Sequence, residues 1–387
     1  MRKLLKSFKT EINPTEEQKV RIRKTIGTCR FIYNFYLAHN KELHENGEKF
    51  MSSSQFRVWL NNEYLPNHPE CSWIKEAYSK SVTQAVNDGQ TAFTRFFNHK
   101  SAFPNFKKKG RSDVKMYFVR NNPKDCRCER HRIKIPSLGW VRIKEKGYIH
   151  TTKDGYVIKS GHVSIKADRY YVSVLIEISD KTTANNSNEG IGIDLGLKDF
   201  AVVSNSKTYK NINKSAKLKK LEKKLAREQR SLSRKYENLK KGESTQKRNI
   251  QKQKLKIQKL HHRIDNIRTD YINKIIAEIV KTKPSHITIE DLNVSGMMKN
   301  KHLSKAVASQ KFYEFKTKLQ AKCKENGIEL RIVDRWFPSS RTCHCCKRIK
   351  KDLKLSDRVF KCDCGYIEDR DFNAALNLRD ATTYEVA

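Results

Sequence analysis

Apolar residues change their spacing twice along this chain of 387 residues, which limits the folds it can adopt. Up to about residue 100 they recur at helical spacing, and a capping box of Thr15 and Gln18 begins the first helix. From about 113 to 179 they alternate with polar residues, as in short strands such as Tyr156–Lys159 and His162–Ile165. After about 190, apolar strands alternate with helices, one of them expected over 303–325. The pattern predicts a multidomain protein with α/β and α+β parts.

The chain is strongly basic, with 81 Lys and Arg against 42 Asp and Glu and a formal net charge of +39. A surplus of this size repels itself unless a polyanion neutralises it, so nucleic acid is the default partner. No stretch approaches the roughly 18–20 apolar residues of a membrane span. The first residues also lack the apolar core of a secretory signal. We expect a nucleic-acid-binding protein that contacts no membrane.

A long basic stretch from about 214 to 282 has two leucine- and isoleucine-rich stripes at helical spacing. Gly242 and Ser244 lie between the stripes, which predicts an antiparallel pair of helices. The outer face carries an excess of Lys and Arg. Two interpretations fit equally well: a solvated helical arm, or a surface that contacts nucleic-acid phosphates.

Three carboxylates occupy positions that a two-metal nuclease would use. Asp194 and Glu290 each end an apolar strand, and Asp371 opens a helical segment. Period-two alternation places Gly192 on the same face as Asp194, where its missing side chain allows close approach of a backbone or substrate. Cleavage of a phosphodiester develops negative charge, which two Mg²⁺ ions held by carboxylates can stabilise. Taken singly, each acid is better explained as a cap or a surface residue.

Five of the ten cysteines lie close together near the end of the chain. Cys343 with Cys346 and Cys362 with Cys364 supply four thiolates, which suits one tetrahedral structural Zn²⁺. Such a site would stabilise a segment too short to build its own core. The second pair is CxC rather than CxxC, so substitution by Cys345 or His344 stays open. A second cluster, Cys126, Cys128 and His131, has no fourth ligand nearby and is better explained by packing.

The three acids lie in the segments Gly190–Ser204, Ile289–Val294 and Asp369–Asn377. These segments resemble the RuvC-type nuclease motifs of the TnpB (OrfB) family of bacterial insertion sequences, which is related to type V CRISPR effectors. The resemblance covers nearly the whole chain in order, and family position favours Cys343 as the first zinc ligand. Further matching segments are Phe8–Gln18, Cys29–Asn34, Pro104–Lys109, Ile135–Gly139, His262–Asp270 and Phe337–Cys343.

The resemblance implies an RNA-guided DNA endonuclease with Asp194, Glu290 and Asp371 as catalytic acids that bind two Mg²⁺ ions. Asp371 is preferred to Asp369 because it begins the D-x-N-A-A stretch. Two alternatives remain: a guide-directed DNA-binding regulator without effective cleavage, and a DNA-strand transferase of a transposase. No recognisable recombinase motif carries a catalytic Tyr or Ser, which weakens the second alternative.

The resemblance also implies a domain plan: an RNase H-like (RuvC) nuclease domain with a zinc-ribbon insertion, and an N-terminal wedge-like β-barrel with a helical recognition insertion. The expected boundaries are 1–13 and 113–180 for the barrel, 14–112 for the recognition helices, 181–188 for a linker, 189–335 and 371–387 for the nuclease domain, and 336–370 for the zinc-binding insertion.

The implied partners are a guide RNA derived from the transposon end and double-stranded target DNA with a short flanking motif. We expect a monomer on its RNA, in the cytoplasm of a prokaryote and associated with the nucleoid. Tyr33 has helical spacing, so a place in the core is an equal alternative for it. The candidate nucleic-acid-binding residues are Arg30, Tyr33, Asn34, Lys107, Lys108 and Lys109.

Overall fold

The computed structural model describes residues 3–122, 124–152, 155–179, 188–240, 247–354 and 357–387. The chain divides into two compact units, Met1–Asp180 and Lys181–Ala387. Residues 181–187 of the predicted linker lie outside the described residues. The finer domain boundaries expected from the sequence stay a prediction.

Seven described strands of the first unit form one antiparallel sheet in the order β2-β6-β7-β1-β5-β4-β3. The N-terminal strand β1 lies inside the sheet, because it pairs with β7 from Lys3↔Ser179 to Ile12↔Tyr170 and with β5 at its other edge. Closure of this sheet into a barrel stays a prediction. The strands are β1 (Lys3–Asn13), β2 (Met116–Val119), β3 (Arg127–Cys128), β4 (Arg132–Ile135), β5 (Gly139–Ile143), β6 (Val157–Lys166) and β7 (Arg169–Ser179).

The predicted alternation of apolar and polar residues holds in this sheet. In β7, Tyr170, Val172, Val174 and Ile176 are buried on one face. The prediction of two separate strands over 156–165 is wrong, because β6 runs unbroken through this stretch. An irregularity in its pairing with β7 beyond Ile158 absorbs the change of register.

The helices of the first unit pack around a core rich in aromatic residues, including Tyr36, Phe56 and Phe93. The predicted capping box is confirmed: the Gln18 N–H donates to Thr15 Oγ1 at 3.3 Å, and the Thr15 N–H donates to Gln18 Oε1 at 3.0 Å. The helices are α1 (Glu16–Glu45), α2 (Ser53–Trp59), a π-helical turn (Leu60–Tyr64), α3 (Leu65–Asn67), a 3₁₀ helix (Pro69–Glu76) and α4 (Ser79–Phe97).

Six described strands of the second unit form a mixed sheet in the order β10-β9-β8-β11-β12-β15. Strands β8, β11 and β12 are parallel, and β9 is antiparallel to β8. This topology is consistent with the RNase H-like fold that the resemblance implies. The strands are β8 (Ile191–Leu195), β9 (Asp199–Val203), β10 (Thr208–Lys210), β11 (His286–Glu290), β12 (Glu329–Val333) and β15 (Glu385–Val386), with β13 (Val359–Lys361) and β14 (Ile367–Asp369) forming a separate pair.

The described helices of the second unit flank this sheet or extend from it. The predicted antiparallel pair is formed by α5 and α6, whose side chains meet at Arg268 with Glu222 and at Gln253 with Glu228. Gly242 and Ser244 of the predicted turn lie outside the described residues. The helices are a 3₁₀ turn (Ile212–Lys214), α5 (Ala216–Lys240), α6 (Lys247–Lys281), α7 (Val294–Lys299), α8 (Ser304–Gln310), α9 (Phe312–Asn326) and α10 (Arg370–Arg379).

The single helix predicted over 303–325 is wrong, because the chain breaks it at Lys311. This residue has a left-handed backbone (φ 57°), which separates α8 from α9. The Lys311 ammonium lies 2.8 Å from Asp265 and also pairs with Glu314. A left-handed lysine costs energy, and these two ion pairs with α6 and α9 offset part of it.

Candidate functional site: an acidic pocket beside a four-cysteine cluster

The three predicted acids line one cavity of about 620 Å³ in the second unit. Asp194 lies near the end of β8, Glu290 is the last residue of β11, and Asp371 lies in the first turn of α10. Because β8 and β11 are parallel neighbours, their carboxyl ends meet at the same edge of the sheet. The structure therefore brings together residues that are 177 positions apart in the chain.

Gly192 allows helix α10 to lie directly on β8. A Cβ at this position would come within 2.0 Å of the Ala375 carbonyl oxygen and 2.4 Å of the Arg379 nitrogen. The close approach predicted for this face is that of a backbone, and it belongs to the helix that carries Asp371. The glycine thus contributes to bringing Asp371 toward Asp194.

Two of the acids have strongly perturbed proton affinities. Burial, followed by the charges of Asp371 and Glu290, raises the pKa of Asp194 to about 7. Burial, followed by the charges of Asp291 and Asp334, raises the pKa of Glu290 to about 7. Neighbouring carboxylates removed from water resist ionisation together, so the pocket favours either protons or a bound cation.

Two arginines lie against the third acid. The Arg370 guanidinium is 3.2 Å from Asp371 Oδ1, and Arg358 Nη1 is 4.0 Å from Asp371 Oδ2. The backbone N–H of Arg370 also donates to the backbone carbonyl oxygen of Arg358 at 2.9 Å. Both arginines line the cavity. A cation that binds Asp371 would compete with these ion pairs.

Asp369 has a different role from Asp371. It is the N-cap of α10, and its Oδ1 accepts hydrogen bonds from the N–H groups of Asp371 at 3.0 Å and Phe372 at 3.1 Å. Asp371, not Asp369, is among the residues lining the cavity. Asp369 therefore caps α10, and the choice of Asp371 as the catalytic acid stays a prediction.

The loop after β8 forms one wall of the cavity and is held by side chains that the sequence did not single out. The amides of Asn211 and Gln310 donate to the carbonyl oxygens of Leu197 at 2.8 Å and Gly196 at 3.2 Å. The Lys214 ammonium donates to the Lys198 carbonyl at 2.8 Å. Their roles depend on contacts between distant segments, so residue spacing gave no signal for them.

Four cysteines form a compact cluster beside α10. The sulfur atoms of Cys343, Cys346, Cys362 and Cys364 all lie within 4.8 Å of one another. Two of the Sγ–Sγ distances are 3.7 Å and 3.5 Å. Tetrahedral zinc with Zn–S bonds of about 2.3 Å requires sulfur atoms about 3.8 Å apart. The cluster fits a structural zinc ion, and the CxC spacing of the second pair does not prevent this geometry.

The two alternative zinc ligands, Cys345 and His344, lie outside the group of four sulfur atoms. Cys345 is exposed and does not belong to the four-sulfur group. The backbone N–H of His344 donates to Asn373 Oδ1 at 3.1 Å, and the ring Nδ1 of His344 lies 3.7 Å from Asp380 Oδ2. His344 is therefore directed toward α10 and the residue after it, which makes it part of the support for that helix.

Three of the candidate nucleic-acid-binding residues of the first unit contact one another. The Asn34 amide donates to the Lys107 carbonyl at 3.0 Å and accepts from the Lys107 N–H at 2.7 Å. The Lys107 ammonium lies 3.6 Å from the centre of the buried Tyr33 ring, and burial lowers its pKa. Lys108 and Lys109 are exposed. Tyr33 and Asn34 thus anchor the basic loop to α1.

The remaining candidates of the first unit give no sign of a site. Arg30 is half-buried on α1. Burial raises the pKa of Cys126 to about 11 and that of Cys128 to about 12, while His131 is exposed. Protonated, buried thiols agree with the packing role expected for this cluster.

Comparison with known proteins identifies the family. Residues 173–301 match the OrfB_IS605 model, described as "Probable transposase", and residues 312–378 match a model described as "Cas12f1-like, TNB domain". Residues 1–49 match a model described as "Helix-turn-helix domain", and within this range Lys3–Asn13 form β1 and Glu16–Glu45 form α1.

Curated relatives match along almost their full length. The Escherichia coli (strain K12) protein named "Putative RNA-guided DNA endonuclease InsQ" is 32% identical over 97% of this chain and 92% of its own. A Streptomyces pristinaespiralis protein, "Putative RNA-guided DNA endonuclease", is 29% identical over 98% of this chain and 89% of its own. The chain belongs to the TnpB/OrfB family.

A solved structure supports the fold. The "Cryo-EM structure of the Cas12f1-sgRNA-target DNA complex" contains a chain that matches 99% of this one and 100% of its own length, with a TM-score of 0.59 and 14% identity. This likeness concerns the fold alone. Among the described residues, no helix combines the length and apolarity needed to cross a membrane.

Proposed function

We propose that this protein is a metal-dependent, RNA-guided DNA endonuclease that cuts at the acidic pocket of its second unit. The observation that carries the proposal is the convergence of Asp194, Glu290 and Asp371 on one cavity, with the pKa values of the first two raised to about 7. The names of the relatives support the same activity.

Asp194, Glu290 and Asp371 would hold two Mg²⁺ ions, because carboxylate oxygens are the ligands this cation prefers. Bound there, the ions would stabilise the negative charge that develops on the attacking and leaving oxygens of the phosphodiester. The protein positions the three carboxylates on two strands and a helix before the substrate arrives. Arg358 and Arg370 line the same cavity and can pair with phosphate oxygens once a cation replaces them at Asp371.

The four cysteines would hold one structural zinc ion. No open position is left for catalysis when four thiolates bind the metal. The ion would fix the segment that carries Arg358 and would support the start of α10 through Asn373, whose amide donates to the Thr342 carbonyl at 2.9 Å. The zinc ion would therefore affect cleavage by positioning Arg358 and α10, and it would not take part in the reaction.

The proposed partners are a transposon-end-derived guide RNA and duplex DNA with a short flanking motif. Net charge of +39 suits a protein that binds both at once, since phosphate neutralisation is the main source of affinity. A guide–target duplex is recognised largely through its backbone and shape, while base pairing selects the sequence. The barrel and helical recognition domains of the first unit would hold these partners.

Sequencing the RNA that co-purifies with the full chain, and then offering matched duplex DNA with Mg²⁺, tests the proposal. We expect one defined RNA and cleavage of the matched DNA. Glu290→Gln should abolish cleavage and leave guided DNA binding nearly intact. Guided binding by the wild-type chain without cleavage would favour a regulator, and joined rather than cut strands would favour a transferase.

A further inference from the structure

Trp336 is an exposed aromatic residue on the rim of the acidic pocket. Its side chain is 84% exposed although it lines the same cavity as Asp194, Glu290 and Asp371. An exposed indole leaves apolar surface in contact with water, and covering that surface with a ligand is favourable. The ring is available to a ligand that enters the pocket.

The backbone that carries Trp336 is fixed although its ring is not. The Trp336 N–H donates to Asp334 Oδ1 at 2.8 Å, and the Phe337 N–H donates to the Asp334 carbonyl at 3.0 Å. On one side, Arg335 pairs with Asp291 at 3.0 Å. On the other side, Phe337 packs against the small core cluster that contains Leu378. The turn therefore presents the indole from a well-anchored position.

Arg341, five residues further on, adds a cation to the same rim. Its side chain is exposed, lines the cavity and has no acidic partner among the described residues. This differs from Arg335, Arg358 and Arg370, which each lie near a carboxylate. Its backbone is held by hydrogen bonds to Pro338 and Lys350. A guanidinium without an acidic partner and an exposed indole, both on the lining of one cavity, suit a base and its neighbouring phosphate.

We propose that Trp336 stacks on an unpaired nucleobase next to the cleaved phosphate, and that Arg341 binds an adjacent phosphate. A base inside a duplex has both faces covered by its neighbours, so stacking on Trp336 requires a strand that has left the duplex. This inference rests on the proposed function and deepens it: it assigns the residues that hold a single strand over the carboxylates. A protein partner for the exposed indole is the competing explanation.

The test combines changes in the protein with changes in the DNA. The full chain with its co-purified RNA cuts matched DNA that carries either a normal nucleotide or an abasic one beside the cleaved bond. Base stacking on an aromatic side chain predicts that Trp336→Leu lowers the cleavage rate at least about five-fold, and Trp336→Phe lowers it less. Because the ring is exposed, the melting temperature should not change. Tyr313→Leu is the matched control, since Tyr313 is 72% exposed in the same unit and does not line the cavity.

The abasic nucleotide separates stacking from other effects. It should slow the wild-type chain about as much as Trp336→Leu does, and should slow Trp336→Leu little further. The inference would be overturned if the abasic nucleotide slowed cleavage by the same factor in both proteins, or if Trp336→Leu cut normal DNA at the wild-type rate. Either result would leave the proposed function standing. Absence of any cleavage by the wild-type chain would overturn both. Arg341→Gln should weaken the salt dependence of DNA binding by about one phosphate contact, and an unchanged slope would remove Arg341 from the site.

Discussion

Gly192 of β8 and Ala375 of α10 lie in direct backbone contact, because a Cβ on Gly192 would be 2.0 Å from the Ala375 carbonyl oxygen. This contact joins the strand that carries Asp194 to the helix that carries Asp371. The geometry of the acidic pocket therefore depends on a residue that has no functional group of its own.

Gly192→Ala should destabilise the second unit and reduce cleavage together. The added methyl group meets backbone atoms that cannot rotate away, so we expect a loss of at least about 1–3 kcal/mol in the free energy of unfolding. Thermal unfolding measures it. Gly27→Ala in α1 is the control for replacing glycine by alanine without a clash, since a Cβ at Gly27 meets nothing within 4 Å. This substitution should stabilise the helix by about 0.5–1 kcal/mol. Equal stability of both variants would contradict the contact.

The raised pKa of Asp194 predicts how stability depends on pH in magnesium-free buffer. The folded chain holds this proton up to a pKa of about 7, whereas an unfolded Asp releases it near about 3.9. Its contribution to stability is full below about pH 4 and is lost as the pH rises through 7. Asp194→Asn stays neutral at every pH. Its free energy of unfolding, relative to that of the wild type, should therefore increase as the pH rises from 5 to 8.

Magnesium supplies the control for that experiment. Cations compete with protons for Asp194, so adding Mg²⁺ at pH 8 should raise the melting temperature of the wild type more than that of Asp194→Asn. A melting-temperature difference that is the same at every pH, or an equal response to Mg²⁺, would show that Asp194 does not titrate or bind as proposed.

Metal analysis tests the cysteine cluster. We expect about one zinc ion per chain, and none in a Cys346→Ser/Cys362→Ser variant, because two ligands cannot hold structural zinc. Cys345→Ser is the matched control and should keep the ion. Loss of zinc from Cys345→Ser, or its retention in the double variant, would require a different ligand set.

Substitution of Asn34 should affect stability, whereas substitution of the exposed lysines of the basic loop should affect DNA binding. Asn34→Ala leaves the N–H and carbonyl of Lys107 without their partner, which should cost about 1–3 kcal/mol of stability. Lys108→Gln/Lys109→Gln should leave the melting temperature unchanged. If both lysines contact phosphates, that variant should lower the slope of log K against log salt by about 1.8 on a short DNA duplex. An unchanged slope would exclude these two lysines from binding.

Local sequence signals predicted the positions of the acids well. Apolar runs placed Asp194 and Glu290 at or near strand ends, and the capping pattern at Thr15 predicted the start of α1. These features depend on nearest neighbours in the chain. The family resemblance then supplied the reason to group three acids that spacing alone could not connect.

Tertiary contacts explain what the sequence did not predict. Arg358 meets Asp371 only because β13 and β14 bring its segment onto α10, and Trp336 stands out only once it is seen to line the same cavity as the three acids. Tyr33 was a candidate for binding, yet its ring lies under Lys107. No local pattern indicates the break at Lys311, whose ammonium pairs with Asp265 of α6 and with Glu314 of α9.

The most direct test of the account compares cleavage by Asp371→Asn and Asp369→Asn in complexes with the co-purified RNA. Asn caps a helix about as well as Asp, so Asp369→Asn should fold and cut nearly as the wild type does. Asp371→Asn should bind matched DNA and fail to cut it with Mg²⁺. Cleavage by Asp371→Asn at the wild-type rate, or an equal loss of activity in both variants, would contradict the assignment of Asp371 to the catalytic metal site.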